Sequence, residues 1–503
     1  MTEPGGELLR LAATVLQPGF VGTTPPDWIR RWLGEGLGGV ALFARNVQDP
    51  AQVAALTAAL RAERADVLVG IDEEAGDVTR FESRRGSSRP GNLALGAVDD
   101  PALTEEVARD LGRELAAAGV NLDYAPDADV NNNPDNPVIG VRSFGADPAL
   151  VARHTAAWVR GLQSAGVAAC AKHFPGHGDT AVDSHHDLPR IPRDRAALEE
   201  VELRPFRAAI EAGVQAVMTG HLLVPAIDPE LPATLSRAVL TGLLRDDLGF
   251  EGAVITDGIE MRAVVDRFGF EGAVIRALAA GADAICVGGE NADEATATRL
   301  RAAIATAVAA GELAEERLVE AAKRVEHLAA WAATSRAAST PAPWYGDRGS
   351  PIGLAAARRA LRVTGAGSRT LPLPAAPHVV ELTAPANIAV GPDTPWGVAA
   401  PLAALLPGTT SVRVDEAAAA NGSGPSALVG AATGRPLVLV VRDLHRHPWM
   451  GDLVRETLTA RPDTVVVELG VPASVVGEVH IATHGATRSS GLAAAELLAG
   501  RFA

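Results

Sequence analysis

The chain has 503 residues, which exceeds the size of one ordinary domain and predicts two or three of them. Hydrophobic residues make up 47% and charged residues 21%, a composition that predicts a large buried core and excludes a disordered protein. The net charge of −16 excludes nucleic-acid binding through neutralised phosphates. No basic segment followed by an apolar one opens the sequence, and no apolar stretch is long enough for a membrane span, so we expect a cytoplasmic protein with no membrane partner.

Short apolar runs alternate with alanine- and leucine-rich stretches of helical spacing through the first two-thirds of the chain. Continuous apolar runs between helices predict parallel strands that are buried on both faces. We expect seven strands, at residues 39–43, 67–71, 120–124, 167–171, 214–218, 253–256 and 284–287. We expect helices between them at residues 51–64, 103–118, 149–163 and 198–212, among others. Such a succession predicts an α/β fold of the (β/α)8 type, a TIM-like barrel that is irregular or incomplete.

The composition changes after this region. Residues 335–352 are rich in proline, serine, glycine and alanine, which predicts a linker between a catalytic barrel at residues 1–334 and a second domain at residues 353–503. Apolar runs and helical stretches alternate again in the second domain, which predicts a smaller α/β sandwich. Its strands are expected at residues 378–382, 437–441, 464–469 and 479–482, and its helices at residues 354–361, 397–405, 453–460 and 491–498.

Polar side chains follow five of the predicted barrel strands at their carboxyl ends, the face on which parallel barrels carry their active sites. In chain order these side chains are Asp72, Glu73, Glu74 and Arg80, then Asp127, Asp129 and Arg142, then Lys172 and His173, then His221, and finally Asp257. A single carboxylate such as Asp257 is equally well explained as the cap of the next helix. The convergence of five strand ends nevertheless predicts an active site.

Residues 172–189 are the densest polar segment, with four histidines, three aspartates and a lysine. Pro175, Gly176 and Gly178 predict an irregular loop here, and a purely structural loop is one interpretation. A metal site is another, but the histidines lack the HExxH spacing, no cysteine joins them, and Lys172 would repel a cation. We therefore expect neither a metal nor a cofactor.

Several stretches of the sequence resemble glycoside hydrolase family 3, specifically its β-N-acetylhexosaminidase branch in the two-domain form. The most specific is KHFPGHGDTAVDSHHDLP at residues 172–189. The others are LFARN at residues 42–46, NLDYAPDADVNNNPDNPVIGVRSFG at 121–145, VMTGH at 217–221, PATLS at 232–236, LGFEGAVITD at 248–257 and THGATRSSGLAAAELLAG at 483–500. The resemblance covers nearly the whole predicted barrel.

The resemblance implies a role for each matching residue. Asp257 would be the catalytic nucleophile, and His185 with Asp183 would form the acid/base dyad that is peculiar to this branch. Retaining glycosidases need a carboxylate nucleophile and an acid that later serves as base. A histidine titrates near neutral pH, and an aspartate can hold its tautomer. The resemblance further implies that five residues bind the sugar: Asp72, Arg80, Arg142, Lys172 and His173.

Two departures from the family pattern leave the sugar preference open. The family usually has Asp-x-Glu-Gly-Gly-x-Val-x-Arg after the second predicted strand, where this chain reads Asp72-Glu-Glu-Ala75-Gly76-Asp77-Val-Thr-Arg80, with Ala75 in place of a glycine. After Asp257, the sequence Gly258-Ile259-Glu260-Met261 is an unusual version of the common pattern. Both departures leave Asp257, His185 and Asp183 in place.

The resemblance implies a retaining β-N-acetylglucosaminidase that removes terminal β-GlcNAc from cell-wall muropeptides or from chitin-derived oligosaccharides. An alternative is a phosphorylase that releases GlcNAc-1-phosphate, because a histidine in place of a second carboxylate tolerates phosphate as the acceptor. A catalytically inactive sugar-binding protein is a further alternative. A β-glucosidase or xylosidase is disfavoured by the Asp-Ser-His-His loop. The sequence does not predict the oligomeric state or the role of the second domain.

Overall fold

The computed structural model describes residues 5–180, 188–289, 291–338, 344–365, 371–385, 389–391 and 394–502. The chain divides into two compact units. The first consists of Met1–Glu74, Thr104–Ile139 and Ala146–Trp344, and the second of Ala75–Leu103, Gly140–Gly145 and Tyr345–Ala503. Two segments of the first two-thirds of the chain, Ala75–Leu103 and Gly140–Gly145, therefore belong to the second unit, and we call them excursions. The predicted linker at residues 335–352, with the domain boundaries on either side of it, stays a prediction.

Eight parallel strands build the first unit, and they confirm the predicted (β/α)8-type fold. They are β1 (Leu16–Pro18), β2 (Gly39–Leu42), β3 (Leu68–Ile71), β4 (Leu122–Asp123), β5 (Ala168–Phe174), β6 (Ala216–Thr219), β7 (Ala253–Thr256) and β8 (Ile285–Val287). Strands β2 to β7 pair in chain order in one six-stranded sheet, and β1 pairs with β8. A single bridge between Ile255 and Ala284 joins β7 to β8.

The strand β1 is the one barrel strand that the sequence did not predict. It has only three residues, it carries the polar Gln17 in its middle, and it ends in a proline. It also follows the amphipathic helix Gly6–Thr14 after one residue, so its apolar pattern merges with that of the helix. Gln17 nevertheless faces the barrel interior, where its side-chain oxygen accepts a hydrogen bond from the Tyr124 hydroxyl at 2.9 Å.

Helices connect these strands. They are α1 (Gly6–Thr14), α2 (Asp27–Gly34), α3 (Pro50–Glu63), α5 (Pro101–Ala117), α6 (Pro148–Ser164), α7 (Arg195–Glu200), α8 (Leu203–Glu211), α9 (Arg262–Phe268), α10 (Phe270–Ala280), α11 (Glu294–Ala309) and α12 (Glu315–Ala338), with α4 (Asn92–Val98) in the second unit and a π-helix at Ala238–Asp247. The helix predicted at 198–212 is two helices, because Pro205 has no N–H to donate to the carbonyl of Val201. Among the described residues, no helix combines the length and hydropathy of a membrane span.

Aspartates fix where several of these helices begin. Asp49, Asp147, Asp194 and Asp293 precede α3, α6, α7 and α11, and each carboxylate accepts a backbone N–H of the first turn. In α3 and α6 a proline occupies the first helical position, where its missing N–H is not needed. These residues satisfy donors that the helix itself cannot pair, and they set the connection that leads into each helix.

Close helix packing in the first unit depends on Gly161 of α6. A Cβ atom at this position would lie 2.9 Å from the Ala108 side chain of α5 and well inside contact distance of the Glu105 carbonyl oxygen. Gly272 in α10 offers the opposite case, since a Cβ there would meet no atom within 4 Å. The two glycines share a helical backbone and differ in the room around them.

We predict that Gly161→Ala destabilises the protein, by about 1–3 kcal/mol, because the added methyl overpacks the contact with α5. Gly272→Ala should instead stabilise it, by up to about 1 kcal/mol, because alanine loses less conformational entropy in a helix. Thermal unfolding of both variants measures the difference. An increase in the unfolding temperature of Gly161→Ala would contradict this packing.

The second unit contains a six-stranded sheet with helices, as the predicted smaller α/β domain requires. Its strands are β9 (Arg362–Thr364), β10 (His378–Leu382), β11 (Thr410–Val414), β12 (Leu437–Val441), β13 (Val465–Glu468) and β14 (Val479–Ala482), and its helices are α13 (Pro351–Ala360), α14 (Ala399–Leu405), α15 (Glu416–Ala420), α16 (Pro425–Ala431), α17 (Pro448–Ala460) and α18 (Arg488–Leu498). The order is β11-β10-β12-β13-β14-β9, with β9 alone antiparallel. The unpredicted β9 and β11 lie at the two edges, where exposed residues interrupt the apolar pattern.

The excursion Ala75–Leu103 is tied to this sheet by buried carboxylates. Asp77 lies 2.7 Å from a guanidinium nitrogen of Arg442, and its other oxygen accepts the N–H of Ala486 at 2.8 Å. The Arg488 guanidinium donates to Glu82 at 3.1 Å. These partners follow β12 and β14, so the excursion packs at the carboxyl ends of the sheet's central strands. Asp77 therefore has a structural partner within the second unit.

Ala75 adopts a left-handed backbone conformation, with φ of 49°. For an L-residue with a Cβ this conformation costs about 1–2 kcal/mol, and glycine avoids the cost. This explains why the family pattern has a glycine where this chain has Ala75. Asp443 in the same unit has φ of 52°, but its carboxylate accepts the N–H of Val471 at 2.8 Å.

We predict that Ala75→Gly stabilises the protein by about 0.5–1 kcal/mol, because relief of the left-handed strain exceeds the entropy that glycine loses on folding. Asp443→Gly is the matched control, and it should destabilise, because it removes a hydrogen bond together with the strain. Unfolding midpoints of the two variants give the comparison. Equal shifts in one direction would contradict the strain at Ala75.

Candidate active site

Lys172 forms ion pairs with Asp72 and Glu74 at the carboxyl ends of the barrel strands. Lys172 lies within β5, which extends three residues beyond the predicted strand and places its side chain at 2% exposure. Its Nζ lies 2.6 Å from Asp72 and 2.7 Å from Glu74, both of which follow β3. It is one of two lysines in the chain. Asp72 is 28% exposed and Glu74 only 3%, so Asp72 is the carboxylate of the pair that a ligand can reach.

A third carboxyl group acts on these charges from the end of β4. Asp123 ends β4 and is fully buried, and one of its oxygens accepts the N–H of Glu73 at 2.9 Å. Burial raises the pKa of Asp123 well above its usual value, although the Glu73 N–H and the charge of Lys172 oppose the shift. A protonated Asp123 leaves Lys172 with the two carboxylates of Asp72 and Glu74.

His173 is held in one orientation by Asp129. Its Nδ1 lies 2.7 Å from one Asp129 oxygen, and the other oxygen accepts the backbone N–H groups of His177 at 2.6 Å and of His173 at 3.2 Å. Burial opposes ionisation of Asp129, but the charge of His173 and these hydrogen bonds outweigh it and lower the pKa of the carboxyl group. An ionised Asp129 can only accept a hydrogen bond from Nδ1, and this fixes the proton on that ring nitrogen.

Ligand atoms of Asp127, Asp129 and His173 lie within 4.8 Å of one another, a spacing that a metal ion could use. Both oxygens of Asp129 already accept N–H groups, and a metal would have to replace the Nδ1 proton of His173. The set therefore suits the orientation of an imidazole better than metal coordination. That no metal binds here stays a prediction.

Asp257 lies at the carboxyl end of β7 and is half-buried. One of its oxygens accepts the N–H of Gly258 at 2.7 Å. His221 contacts the next peptide group, because its Nε2 lies 3.0 Å from the Gly258 carbonyl oxygen, which can only accept a hydrogen bond. Its Nδ1 lies 2.8 Å from the Thr234 hydroxyl. The sequence identified His221 as a polar strand end, and the structure gives it this positioning contact.

The unusual sequence after Asp257 also has a structural partner. The Glu260 carboxylate accepts the N–H groups of Gly288 at 2.8 Å and Gly289 at 2.5 Å, just beyond β8. Arg45, which follows β2, donates to the carbonyls of Phe20 at 3.0 Å and Gly289 at 2.8 Å. Together these contacts join the loops after β1, β2, β7 and β8. Glu260 therefore steadies the segment that begins at Asp257.

Charges from separate strands act on the same buried thiol. Burial raises the pKa of Cys170, and the charges of Lys172, Asp72 and Asp257 also affect it. These three groups come from β5, from the loop after β3 and from the end of β7. Asp72, Lys172 and Asp257 thus all lie near enough to Cys170 to act on its pKa, and that they form one active site with His173 stays a prediction.

Two other predicted sugar-binding residues belong to the second unit. Arg80 donates to the carbonyl of Ala389 at 2.9 Å, and the carbonyl of Arg142 accepts the side-chain amide of Asn92 at 2.7 Å. The side chain of Asn92 thereby links the two excursions that carry these arginines. Asp183 and His185 lie outside the described residues. Their assignment as acid/base stays a prediction.

Comparison with known proteins gives one consistent family. The model for the glycosyl hydrolase family 3 N terminal domain matches residues 17–328. A beta-hexosaminidase of Alkalilimnicola ehrlichii is 42% identical over 257 residues, which are 50% of this chain and 73% of that protein. Beta-hexosaminidase A of Pseudoalteromonas piscicida is 38% identical over 282 residues, which are 52% of this chain but only 47% of that protein.

The similarity to one solved structure extends over both units. A glycoside hydrolase family 3 beta-N-acetylglucosaminidase from Paenibacillus sp. str. FPU-7 is 35% identical to this chain, with a TM-score of 0.87 and coverage of 99% of this chain and 97% of that one. The family match, the named relatives and the eight-stranded barrel agree with one another. The chain belongs to glycoside hydrolase family 3, as the motifs along its barrel predicted, and it is an enzyme of the glycoside hydrolase class.

Proposed function

We propose that this chain is a retaining β-N-acetylglucosaminidase that removes terminal, non-reducing β-GlcNAc from cell-wall muropeptides or chitin-derived oligosaccharides. The observation that carries the proposal is the buried Lys172–Asp72 ion pair beside an oriented His173, at the end of the barrel that also presents Asp257. The names of the relatives and of the Paenibacillus structure support this substrate class.

In the first step, a carboxylate oxygen of Asp257 attacks the anomeric carbon, and the bond from that carbon to the aglycone oxygen breaks. His185 donates a proton to the departing oxygen. In the second step, a water molecule gives its proton to His185 and attacks the glycosyl–Asp257 ester, which frees GlcNAc and restores the carboxylate. Asp183 would keep the imidazole of His185 in the correct tautomer throughout.

The buried polar groups of the first unit suit the sugar of such a substrate. We propose that Asp72 accepts hydrogen bonds from sugar hydroxyls and that Lys172 and the Nε2 side of His173 contact further hydroxyl groups. Since the Lys172 ammonium already lies between Asp72 and Glu74, it does not have to reorganise when the sugar binds. We propose that Arg80 and Arg142 add further donors.

Phosphorolysis is the second candidate, because the proposed acid/base is a histidine and a carboxylate at that place would repel phosphate. The test is product analysis on an aryl β-N-acetylglucosaminide with and without millimolar phosphate. We expect free GlcNAc at the same rate in both buffers. A phosphate-dependent rate with GlcNAc-1-phosphate as product would replace the hydrolase by a phosphorylase. Turnover in neither buffer would support a sugar-binding protein instead.

We predict that Asp257→Ala lowers kcat by about 1,000-fold or more, because no covalent intermediate can form. Azide added to this variant should attack from the face that Asp257 vacates and give the α-glycosyl azide. Asp266→Ala, nine residues later, removes an exposed carboxylate paired with Arg262 and should keep full activity. Unchanged turnover by Asp257→Ala would remove this residue as the nucleophile.

We predict that His185→Ala slows aryl glycosides with poor leaving groups by about 100-fold or more, because these need protonation. Substrates with strongly acidic phenols should keep most of their rate of glycosyl-enzyme formation. Azide should attack the glycosyl-enzyme of this variant and give the β-glycosyl azide. The presteady-state rates and the anomeric configuration of the azide are the measurements. Equal slowing of good and poor leaving groups would contradict the acid role.

A further inference from the structure

The segment 181–187 carries the proposed dyad, and the structure describes the chain on both sides of it in detail. On the amino-terminal side, the side-chain amide of Asn136 donates to the carbonyls of His177 at 2.9 Å and Gly178 at 3.1 Å. Gly178 has no room for a side chain, because a Cβ would overlap the carbonyl of Val130. This flank is therefore fixed to the loop after β4.

The carboxyl-terminal flank is fixed to a different part of the barrel. The N–H of Leu223 donates to the carbonyl of Pro189 at 2.8 Å, and the N–H of Ile191 donates to the carbonyl of Leu223 at 2.9 Å. Leu223 follows β6. The two ends of the segment thus rest on two separate loops, and their spacing depends on contacts that cross between the flanks.

The guanidinium group of Arg193 connects the two flanks. The Nε of Arg193, on the carboxyl-terminal flank, lies 2.8 Å from Asp179 on the amino-terminal flank and 2.9 Å from Glu202. Glu202 immediately precedes α8, and its side chain is 1% exposed. Glu202 depends strongly on this guanidinium, because removal of Arg193 would leave a buried carboxylate without this ionic partner.

Burial raises the pKa of Glu202 to about 7. The charged groups that act on its pKa are Arg193, which favours the ionised form, and Asp179, which opposes it. Glu202 is thus ionised above neutral pH, where its attraction for Arg193 is strongest, and it is protonated in mildly acidic solution.

We propose that Arg193, held between Asp179 and Glu202, is a positioning residue for the general acid/base. The proposal rests on the proposed function, because it assumes that His185 is the group to be positioned. Fixed ends reduce the conformations that the intervening residues can adopt, so less order has to be gained at each turnover. A displacement of about 1 Å in a catalytic group can cost about 100-fold in rate.

The first test compares Arg193→Ala with Arg195→Ala. Arg195 is two residues away and also pairs with two carboxylates, Glu199 at 2.9 Å and Asp247 at 2.6 Å, but it is 43% exposed. We expect Arg193→Ala to slow aryl β-N-acetylglucosaminides with poor leaving groups by about 10- to 100-fold and those with good leaving groups less than about 3-fold. Arg195→Ala should change neither. Equal slowing of both substrate classes by Arg193→Ala, or no slowing, would overturn the proposal.

Glu202→Gln keeps the shape of the side chain and provides a second test if Arg193→Ala does not fold. Because Glu202 is protonated below about pH 6, this variant and the original enzyme should there turn over poor substrates at the same rate. Above pH 7 the variant should become several-fold slower on these substrates alone. A rate ratio that is constant between pH 5.5 and 8.5 would contradict the role of the Glu202–Arg193 pair.

His185→Ala separates failure of this proposal from failure of the proposed function. If His185→Ala slows good and poor leaving groups equally, the acid/base assignment fails and the positioning role fails with it. If His185→Ala discriminates between leaving groups and Arg193→Ala does not, the acid/base assignment holds and Arg193 is only a structural residue.

Discussion

The buried ammonium of Lys172 is the interaction on which the site of the first unit depends. Two carboxylates, from Asp72 and Glu74, lie within 2.7 Å of it, and a third carboxyl group, that of Asp123, acts on these charges from the end of β4. An uncompensated charge at this depth would cost several kcal/mol, so β3 and β5 must present these groups together. The same arrangement fixes the side chain of Asp72 at the mouth of the barrel. The contacts that compensate the buried charge of Lys172 therefore also set the position of Asp72.

Hydrogen bonds likewise fix the orientations of His173 and His221. His173 is oriented by an ionised Asp129, and His221 is oriented by carbonyl and hydroxyl oxygens around Gly258. Neither imidazole has to choose a tautomer when a ligand arrives. Asp129 and Thr234, which take part in these contacts, are themselves fully buried. Each of these polar contacts thus fixes the orientation of one histidine at the carboxyl ends of the barrel strands.

Much of this could be predicted from the sequence because continuous apolar runs and polar strand ends are local patterns. All seven predicted barrel strands are present, and the two edge strands of the second sheet and β1 were missed because short or exposed strands lack an apolar run. Asp72, Lys172, His173 and Asp257 were identified through motifs. Asp129 was recognised only as a polar strand end, because its pairing with His173 depends on burial and on a residue 44 positions away, which no local pattern contains.

The departures from the family pattern show the same limit. From the sequence, Ala75, Asp77 and Glu260 could only be noted as differences. In the structure Ala75 occupies a left-handed turn, Asp77 pairs with Arg442, and Glu260 accepts two N–H groups beyond β8. Asp77 and Glu260 thus take their roles from partners at a distance, and Ala75 is explained by a backbone conformation that the residue type alone does not indicate.

The path of the chain between the two units limits how the units can be separated. The chain passes between the two compact units five times, because Ala75–Leu103 and Gly140–Gly145 leave the first unit and return to it. The segments of the two units therefore alternate along the sequence, so no single cut in the chain separates one unit from the other. A truncated chain that ends before Tyr345 would keep these excursions and lose the sheet against which the first of them folds. Arg442 and Arg488, which pair with Asp77 and Glu82, would be lost with that sheet.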